Sequence, residues 1–302
     1  MSDPRILTVR PEPGEYAWTF GGVPPVARIA PGTVLDLYTE DCFAGRVRSE
    51  KDLVTQVCEF PFLNPQTGPF HIEGAEPGDT VAVRGDGLDL ATRPDPPYGP
   101  VPGARQRHRG RTDPRPDARH RGRGSRQPGG ALGPGTRRAR RQHMDTPEMR
   151  AGVTCYLGVN VECALLSLGD GHARQGEGET CGVAVECAMN TVVIVELLKG
   201  LATPWPRIES DTHIISTGSA RPLEDAFRIS QLDLVRWLVR DYGFSELDAY
   251  QFATQCVESP LANVCDTNYT CVAKLRKQWL PARETHRGVH ARLRETAATL
   301  RN

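Results

Sequence analysis

The stretch Leu166–Gly200, LSLGDGHARQGEGETCGVAVECAMNTVVIVELLKG, decides how the rest of the chain is interpreted. Its downstream end and the residues just before it (152–165) are rich in β-branched and alternating apolar side chains, which is typical of strands. Its middle, residues 168–179, contains four glycines that permit sharp turns. The pattern predicts two long strands joined by a glycine-rich loop, and such a loop is a rigid mount for functional side chains.

The loop carries side chains that bind metal ions. Asp170 and His172 are two residues apart, and Glu177 and Glu179 repeat the spacing. An extended backbone would place both members of each pair on one face. One imidazole with several carboxylates suits Zn²⁺, Mn²⁺ or Fe²⁺. We therefore predict that these four side chains converge on a divalent metal, with a solvated acidic loop as the alternative.

Further acidic side chains stand elsewhere in the chain. Asp41 ends an apolar run in YTEDCFAGRVRS and could be delivered to a shared site from another strand. Asp145, in HMDTPEMRAGV, lies in a local pattern typical of a turn or a helix start. Asp211 and His213 repeat the Asp-x-His spacing, for which a structural hydrogen bond is favoured over a ligand role. No nucleophile elbow, P-loop or dinucleotide fingerprint accompanies them.

The composition bounds the class of protein. A chain of 302 residues is long enough for one large domain or two ordinary ones. It has no apolar run long enough for a membrane span and no apolar secretory signal at its start, so no membrane partner is expected. Its nine cysteines form no Cys-x-x-Cys pair, which favours reduced thiols and a cytoplasmic location over a disulfide framework.

The zero net charge hides an asymmetric distribution. Residues 93–143 contain 14 Arg and no Lys, against three Asp and no Glu, and are dominated by Arg, Pro and Gly. Such a segment cannot bury enough surface to offset its ordering entropy, so it is predicted to be disordered. A shifted reading frame in a GC-rich gene would give the same composition. An arginine-rich nucleic-acid binder at residues 105–141 is the remote alternative, because Lys and stacking aromatics are lacking.

The flanking regions differ in periodicity. Upstream, IAPGTVLDLYTED and GAEPGDTVAVRG each predict a Pro-Gly turn followed by a strand. Downstream, residues 222–240 show a helical apolar period, and Gly243 suits the helix end. Ser245 with Asp248 predicts a capped second helix to about Cys256. A last, mostly polar helix within residues 283–300 is expected to pack loosely. The predicted apolar face of the first helix comprises Leu223, Phe227, Leu234 and Leu238.

Several long motifs together resemble the acetamidase/formamidase family. They are TEDCFAGRVRS, FPFLNPQTGPFHIEGAEPGDTVAV, MDTPEMRAGVTCYLGVNVE, the loop-and-strand stretch quoted above, and PRIESDTHIISTGSARPLEDAF. The resemblance covers roughly residues 15–84 and 144–282, in the family's order. It implies a mainly β fold with an α+β part: a jelly-roll-like β-sandwich, a smaller α/β region and C-terminal helices. It also implies a homo-oligomer that hydrolyses formamide or acetamide to ammonia and the carboxylate.

The resemblance can be carried over only where the motifs match. It matches Asp41, Asp145, the loop residues Asp170, His172, Gln175, Glu177 and Glu179, and the strand residue Glu186. On this basis we expect metal ligands, for Zn²⁺ above all, at Asp170, His172, Asp41 and Asp145. The acid/base residues are expected among Glu179, Glu186 and Glu177, and the substrate-binding residues at Gln175 and Met189.

The chain departs from the family in its middle. Between Val83 and Met144 the family would have further strands, and here stands the arginine-rich stretch. The predicted organisation is therefore an N-terminal β part (1–84), an Arg/Pro/Gly-rich segment (85–143), and a part (144–302) with the metal-type loop followed by helices. An amidase acting on short linear amides is the predicted function, and a family relative that is catalytically inactive or incompletely folded is the alternative.

Overall fold

The computed structural model of the protein describes residues 5–19, 22–58, 62–90, 127–128 and 144–300. Strands dominate the first two-thirds of this part and helices the last third. The strands are β1 (Ile6–Val9), β2 (Ala27–Ile29), β3 (Thr33–Thr39), β4 (Gln66–Ile72), β5 (Thr80–Leu90), β6 (Gln127–Pro128), β7 (Thr154–Gly158), β8 (Leu166–Gly169), β9 (Gly171–Arg174), β10 (Val185–Glu186), β11 (Met189–Leu198), β12 (Arg207–Glu209), β13 (His213–Ala220), β14 (Leu261–Asn263) and β15 (Tyr269–Arg276). The helices are α1 (Val54–Val57), α2 (Leu223–Trp237), α3 (Glu246–Cys256) and α4 (Val289–Thr299).

The strands form three sheets among the described residues. The large sheet has nine strands in the order β1-β3-β11-β5-β7-β12-β13-β15-β14. The second sheet has the order β2-β4-β8, and the third has the order β10-β9-β6. Strands from before and after the arginine-rich segment alternate in the large sheet, where β11 lies between β3 and β5. The N-terminal and C-terminal parts therefore build one unit.

Alternating side chains of the large sheet enter different hydrophobic clusters on its two faces. Leu35, Leu37 and Val193 pack in a cluster with Phe70 and Ile72 of the second sheet, which makes a β-sandwich. The intervening positions, such as Val34 and Ile194, belong to a cluster that contains residues of α4, and Ile214 packs with residues of α2. This period of two explains why the apolar strands need partners on both faces. The predicted mainly β fold with an α+β part is confirmed.

The two Pro-Gly turns and the first two C-terminal helices lie where the sequence predicts them. Strands β3 and β5 begin immediately after or close to the Pro-Gly pairs. A π-helical turn (Leu238–Tyr242) follows α2, and Gly243 ends it with a φ of 74°. The Ser245 side chain accepts the backbone N–H of Asp248 and caps α3. These features are local, which is why the sequence indicates them directly.

Three predictions about individual elements were wrong. The expected long strand before the loop breaks into β7, in the large sheet, and β8, in the second sheet, because residues 163–165 all have φ values between 53° and 67° and redirect the chain. Phe227, expected on the buried face of α2, is 46% exposed. The last helix, α4, does not pack loosely, since Val289 and Leu293 are buried against the large sheet.

The predicted boundary at residue 84 also needs correction. Strand β5 runs to Leu90 and pairs with β11 over its whole length, so residues 85–90 belong to the large sheet. The predicted disorder of residues 85–143 is wrong for residues 85–90 and 127–128, which form strands. The rest of that segment, with most of the predicted nucleic-acid-binding residues 105–141, lies outside the described residues. All nine cysteines are free, in agreement with the sequence analysis. Within the described ranges, every helix is too short or too polar to span a membrane.

Candidate metal and catalytic site

Asp170 lies at a sharp corner between two sheets. It has a φ of 58°, and it separates the last residue of β8 from the first residue of β9. A Cβ atom on Gly169 would lie 2.6 Å from the carbonyl oxygen of Pro65, and one on Gly171 would lie 2.6 Å from the Met189 sulfur. The flanking glycines therefore allow close contact with neighbouring backbone and side chains. The left-handed turn itself falls on Asp170, which is uncommon for a residue other than glycine.

His172 and Glu186 face each other across the third sheet. Strands β9 and β10 are antiparallel, and their register pairs Glu186 with His172. His172 Nε2 lies 3.2 Å from Glu186 Oε1 and 3.6 Å from Asp170 Oδ1. The His172 side chain is 1% exposed. One buried imidazole nitrogen is thus directed at two carboxylates.

Gln175 fixes the orientation of the His172 ring. Its amide nitrogen donates to the carbonyl oxygen of Ala262 at 3.4 Å, which leaves Oε1 facing His172 Nδ1 at 3.3 Å. An N–H at Nδ1 would donate to this oxygen and leave the Nε2 lone pair for a ligand. The family resemblance assigned the Gln175 side chain to substrate binding. In the structure this side chain contacts the His172 imidazole.

The charges around His172 are unbalanced. Burial lowers the pKa of His172, but the hydrogen bonds and charges of Asp170 and Glu186 outweigh it and raise the pKa to about 11. Burial raises the pKa of Asp170, and its hydrogen bond to His172 opposes that effect. The pKa of the nearby Cys42 thiol is raised by burial and by Glu186 and Asp170, so this thiol stays protonated. The cluster thus favours a bound positive charge, either a proton or a cation.

Glu179 forms a second group of carboxylates beside the first. Asn263 Nδ2 donates to Glu179 Oε2 at 2.7 Å, to Asp145 Oδ2 at 3.0 Å and to Asp266 Oδ2 at 3.1 Å. Burial and the neighbouring charge of Asp145 raise the pKa of Glu179 to about 8. A carboxyl group with a pKa near neutrality can both accept and donate a proton under physiological conditions.

The donor atoms are close enough to share a cation. Donor atoms of His172, Glu179 and Glu186 all lie within 4.8 Å of one another, as do donor atoms of Cys42, Asp170 and Glu186. Glu186 Oε2 is buried and has no hydrogen-bond partner among the described residues. A mixed nitrogen and oxygen set with a spare buried carboxylate oxygen fits Zn²⁺ or a similar divalent ion.

The structure does not bring every predicted residue to this cluster. Glu177 points to solvent, although Glu179 is buried. Asp41 Oδ1 accepts the backbone N–H groups of Phe43 and Gly45 and so stabilises a turn. In the described part of the chain, neither Asp41 nor Asp145 belongs to a group of three close donor residues. Asp145 instead contacts Glu179, through a side-chain hydrogen bond and through the shared donor Asn263.

Met189 is also placed differently from the prediction. It is fully buried, in β11, and its side chain packs beneath Gly171. It supports the strand that carries His172 and has no surface to offer a substrate in this conformation.

Asp211 and His213 were predicted to make structural hydrogen bonds. In the structure, Asp211 pairs with His290 and Arg294, and His213 contacts Thr212.

Three residues of the site were not predicted as such. Asn263 and Asp266 come from the stretch NVCDTNYT, which the sequence analysis assigned to no site. Cys42 lies next to Asp41 and packs against Asp170 and Glu186. The only signal for them in the sequence is a set of polar residues at strand ends, which many surface turns share.

Comparisons with known proteins agree on the family. The model of the acetamidase/formamidase family matches residues 130–276. The crystal structure of an acetamidase from Yersinia enterocolitica has 31% sequence identity and a TM-score of 0.72, over 91% of this chain and 93% of that one. Curated proteins gave no significant match.

Two more distant structures share the fold. An acetamidase from Bacillus halodurans has 22% identity and a TM-score of 0.73, over 90% of this chain and 98% of that one. A predicted acetamidase/formamidase from the thermophile Thermoanaerobacter tengcongensis has 20% identity and a TM-score of 0.69, over 92% and 97%. Together with the identity to the Yersinia protein, the family match shows that this chain belongs to the acetamidase/formamidase family, whose members are amidase-type hydrolases.

Proposed function

We propose that this protein hydrolyses short linear amides, such as formamide or acetamide, to ammonia and a carboxylate. The observation that carries the proposal is the convergence of His172, Glu179 and Glu186, whose donor atoms lie within 4.8 Å of one another in a buried setting. A buried group of ionisable side chains with strongly shifted pKa values is typical of a catalytic site. Family membership supplies the reaction class.

We infer that a divalent cation, Zn²⁺ in the first instance, binds to Asp170, His172 and Glu186. Two carboxylates and the Nε2 lone pair supply hard and borderline ligands, and Gln175 holds the imidazole in the required tautomer. When bound, such an ion supplies Lewis acidity, which polarises a carbonyl group and makes water more acidic. Cys42 packs beside these ligands, and its Sγ atom lies within 4.8 Å of donor atoms of Asp170 and Glu186.

Glu179 is the proposed acid/base residue. Its carboxyl group is buried beside the ligand cluster, and burial together with Asp145 keeps its pKa near neutrality. In the reaction, Glu179 removes a proton from the attacking water as the oxygen bonds to the amide carbon. It then delivers that proton to the leaving nitrogen as the C–N bond breaks, so that ammonia departs uncharged. A site of this type separates formamide from acetamide by only about 10–200-fold.

We also propose a cellular location and an assembly state for the protein. Nine free cysteines suit a reducing compartment, and the cytoplasm is the proposed location. A homo-oligomer is proposed from the family resemblance, and light scattering of the purified chain tests it.

Ammonia release by the full chain tests the function. Each of two substitutions replaces one loop carboxylate by an amide: Glu179→Gln at the buried position and Glu177→Gln at the exposed one. We expect Glu179→Gln to lower kcat by about 10²–10⁴-fold and Glu177→Gln to leave kcat within about twofold, because only Glu179 reaches the reacting groups.

The result also distinguishes the alternative. A folded wild-type chain that releases no ammonia from formamide, acetamide or propionamide, with added Zn²⁺ or Mn²⁺, would identify a family relative without catalytic activity. Equal losses in the two variants would remove Glu179 from its proposed role.

A further inference from the structure

Asn263 gathers three carboxylates that come from distant parts of the chain. It is fully buried at the end of β14. Its Nδ2 atom lies 2.7 Å from Glu179, 3.0 Å from Asp145 and 3.1 Å from Asp266, each distance measured to a carboxylate oxygen. Without a donor at this point, the three carboxylates would repel one another in a setting of low dielectric constant. One neutral amide therefore bridges the carboxyl groups of three residues that are far apart in the sequence.

The orientation of the Asn263 amide is fixed from its other side. The backbone N–H of Cys265 donates to Asn263 Oδ1 at 3.3 Å, and the Cys265 thiol lies 3.4 Å from the same oxygen. With the oxygen facing these donors, the NH₂ group must face the carboxylates. The side chain is thus oriented by contacts that do not involve Glu179.

The backbone links β14 to the catalytic loop at the same place. The N–H of Gly178 donates to the carbonyl oxygen of Leu261 at 2.9 Å, and the N–H of Val264 donates to the carbonyl oxygen of Gly178 at 3.0 Å. Glu179 follows immediately with a φ of 43°, a conformation that an isolated loop would rarely maintain. The side-chain hydrogen bond from Asn263 and these backbone bonds together set where the Glu179 carboxylate points.

From this geometry we propose that Asn263 is a positioning residue for amide hydrolysis. Its Nδ2 holds the Glu179 carboxylate against Asp145, with Glu179 directed at His172 and Glu186. The inference rests on the proposed function and assigns a new residue to it. A neutral donor suits the task, because Lys or Arg would add a positive charge and Asp would add a fourth carboxylate.

Two substitutions separate positioning from packing. Asn263→Asp keeps the shape of the side chain but replaces the NH₂ donor by an acceptor, and Asn263→Ala removes both shape and donor. If packing were the only role, Asp would be tolerated better than Ala. Positioning predicts the reverse: we expect kcat to fall by about 10²–10³-fold in Asn263→Asp and by about 10–10²-fold in Asn263→Ala. KM and the divalent metal content of both variants should stay within about threefold of wild type.

The control is Asn160→Asp, which makes the same chemical change at an exposed asparagine whose Nδ2 donates to a backbone carbonyl. It should retain the wild-type kcat. Should Asn263→Asp fail to fold, Asn263→Ala alone decides: a wild-type kcat in that variant overturns the positioning role. So does a kcat in Asn263→Asp equal to or above that of Asn263→Ala. An inactive wild-type chain would overturn the proposed function and this inference together, whereas an active wild type with unaffected variants would overturn only the inference.

Discussion

Two buried histidines in different parts of the molecule show how a proposed metal ligand differs from a residue that only stabilises the fold. Among the described residues, the polar contacts of the His172 ring are all with acceptors: Asp170, Glu186 and the amide oxygen of Gln175. His290, on α4, has mixed partners. Its Nδ1 lies 2.9 Å from the Thr154 hydroxyl, and its Nε2 lies 3.2 Å from Asp211. The His172 ring therefore lies beside more negative than positive charge. Each ring nitrogen of His290, in contrast, has a hydrogen-bond partner.

The charges around the two rings have opposite consequences. Asp170 and Glu186 raise the pKa of His172 to about 11 in spite of burial. For His290, burial and the nearby charges of Lys277 and Arg84 lower the pKa to about 4. A neutral imidazole that donates to Asp211 and accepts from Thr154 needs no further ligand. Because Thr154 is fully buried, its hydroxyl cannot meet a substrate, and this Asp-His-Thr arrangement anchors α4 to the large sheet.

Removing each ring gives the largest expected effect. We expect His172→Ala to lose its divalent metal, to lower kcat by more than about 10³-fold, and to be less stable than the metal-free wild type, because Asp170 and Glu186 lose their buried partner. His290→Ala should keep metal and kcat but lose roughly 2 kcal/mol of stability, through lost hydrogen bonds and packing. Elemental analysis, ammonia release and urea unfolding measure the three quantities. Unchanged metal content in His172→Ala would contradict the ligand assignment.

A smaller loss of kcat should follow from a substitution that displaces β9 and His172 without replacing a proposed metal ligand. In Gly171→Ala, the new Cβ atom would lie 2.6 Å from the Met189 sulfur and 2.9 Å from the Cys187 carbonyl oxygen. The Met189 side chain can adjust but the carbonyl cannot, so β9 and His172 must shift. A displacement of this kind costs about 10²-fold in kcat.

Gly176→Ala is the matched control for this change. It lies in the same loop, and a Cβ atom there would meet no atom within 4 Å. Its kcat should stay within about twofold of wild type. Comparable losses in the two glycine variants would indicate that general flexibility of the loop, and not the position of β9, limits the reaction.

The sequence predicted local features better than the orientation of side chains. The Pro-Gly turns before β3 and β5 and the Ser245 cap depend on a few adjacent residues, and all were found. The two-residue spacing of Asp170 and His172 predicted their proximity, but for an incorrect reason. Asp170 is at a corner between strands, and its φ of 58° brings the carboxylate within 3.6 Å of the imidazole.

The same spacing failed for Glu177 and Glu179. Alternation of faces holds for a strand, and these residues lie in a loop where Glu179 adopts a φ of 43°. Asn263 could not be found at all, because its role depends on contacts with residues 84 and 118 positions away in the chain. Long-range contacts of this kind leave no periodic pattern in a single sequence.

The smallest expected effect is a pH dependence that isolates His290. Its pKa is about 4 in the folded protein, against about 6.5 in an unfolded chain. Between these values the unfolded chain binds more protons, so the stability contributed by the neutral ring is complete above about pH 6.5 and is lost as the pH falls toward 4. The full shift corresponds to about 3 kcal/mol, and solvent screening of the Lys277 charge, which helps to lower the pKa of His290, reduces the expected change to roughly 2 kcal/mol.

His290→Gln supplies the reference for this measurement, because it keeps a polar side chain but cannot titrate. The difference in unfolding free energy between wild type and His290→Gln, followed by urea denaturation from pH 7.5 to 4.5, should shrink by roughly 1–2 kcal/mol. Asp211 does not confuse the result. Burial raises its pKa, but its hydrogen bonds with His290 and Arg294 and its ion pair with Arg294 outweigh burial and lower the pKa, so that it stays charged over this range. A difference that is independent of pH would mean that His290 is protonated in the fold, and the contrast between a charge-unbalanced His172 and a neutral His290 would then be lost.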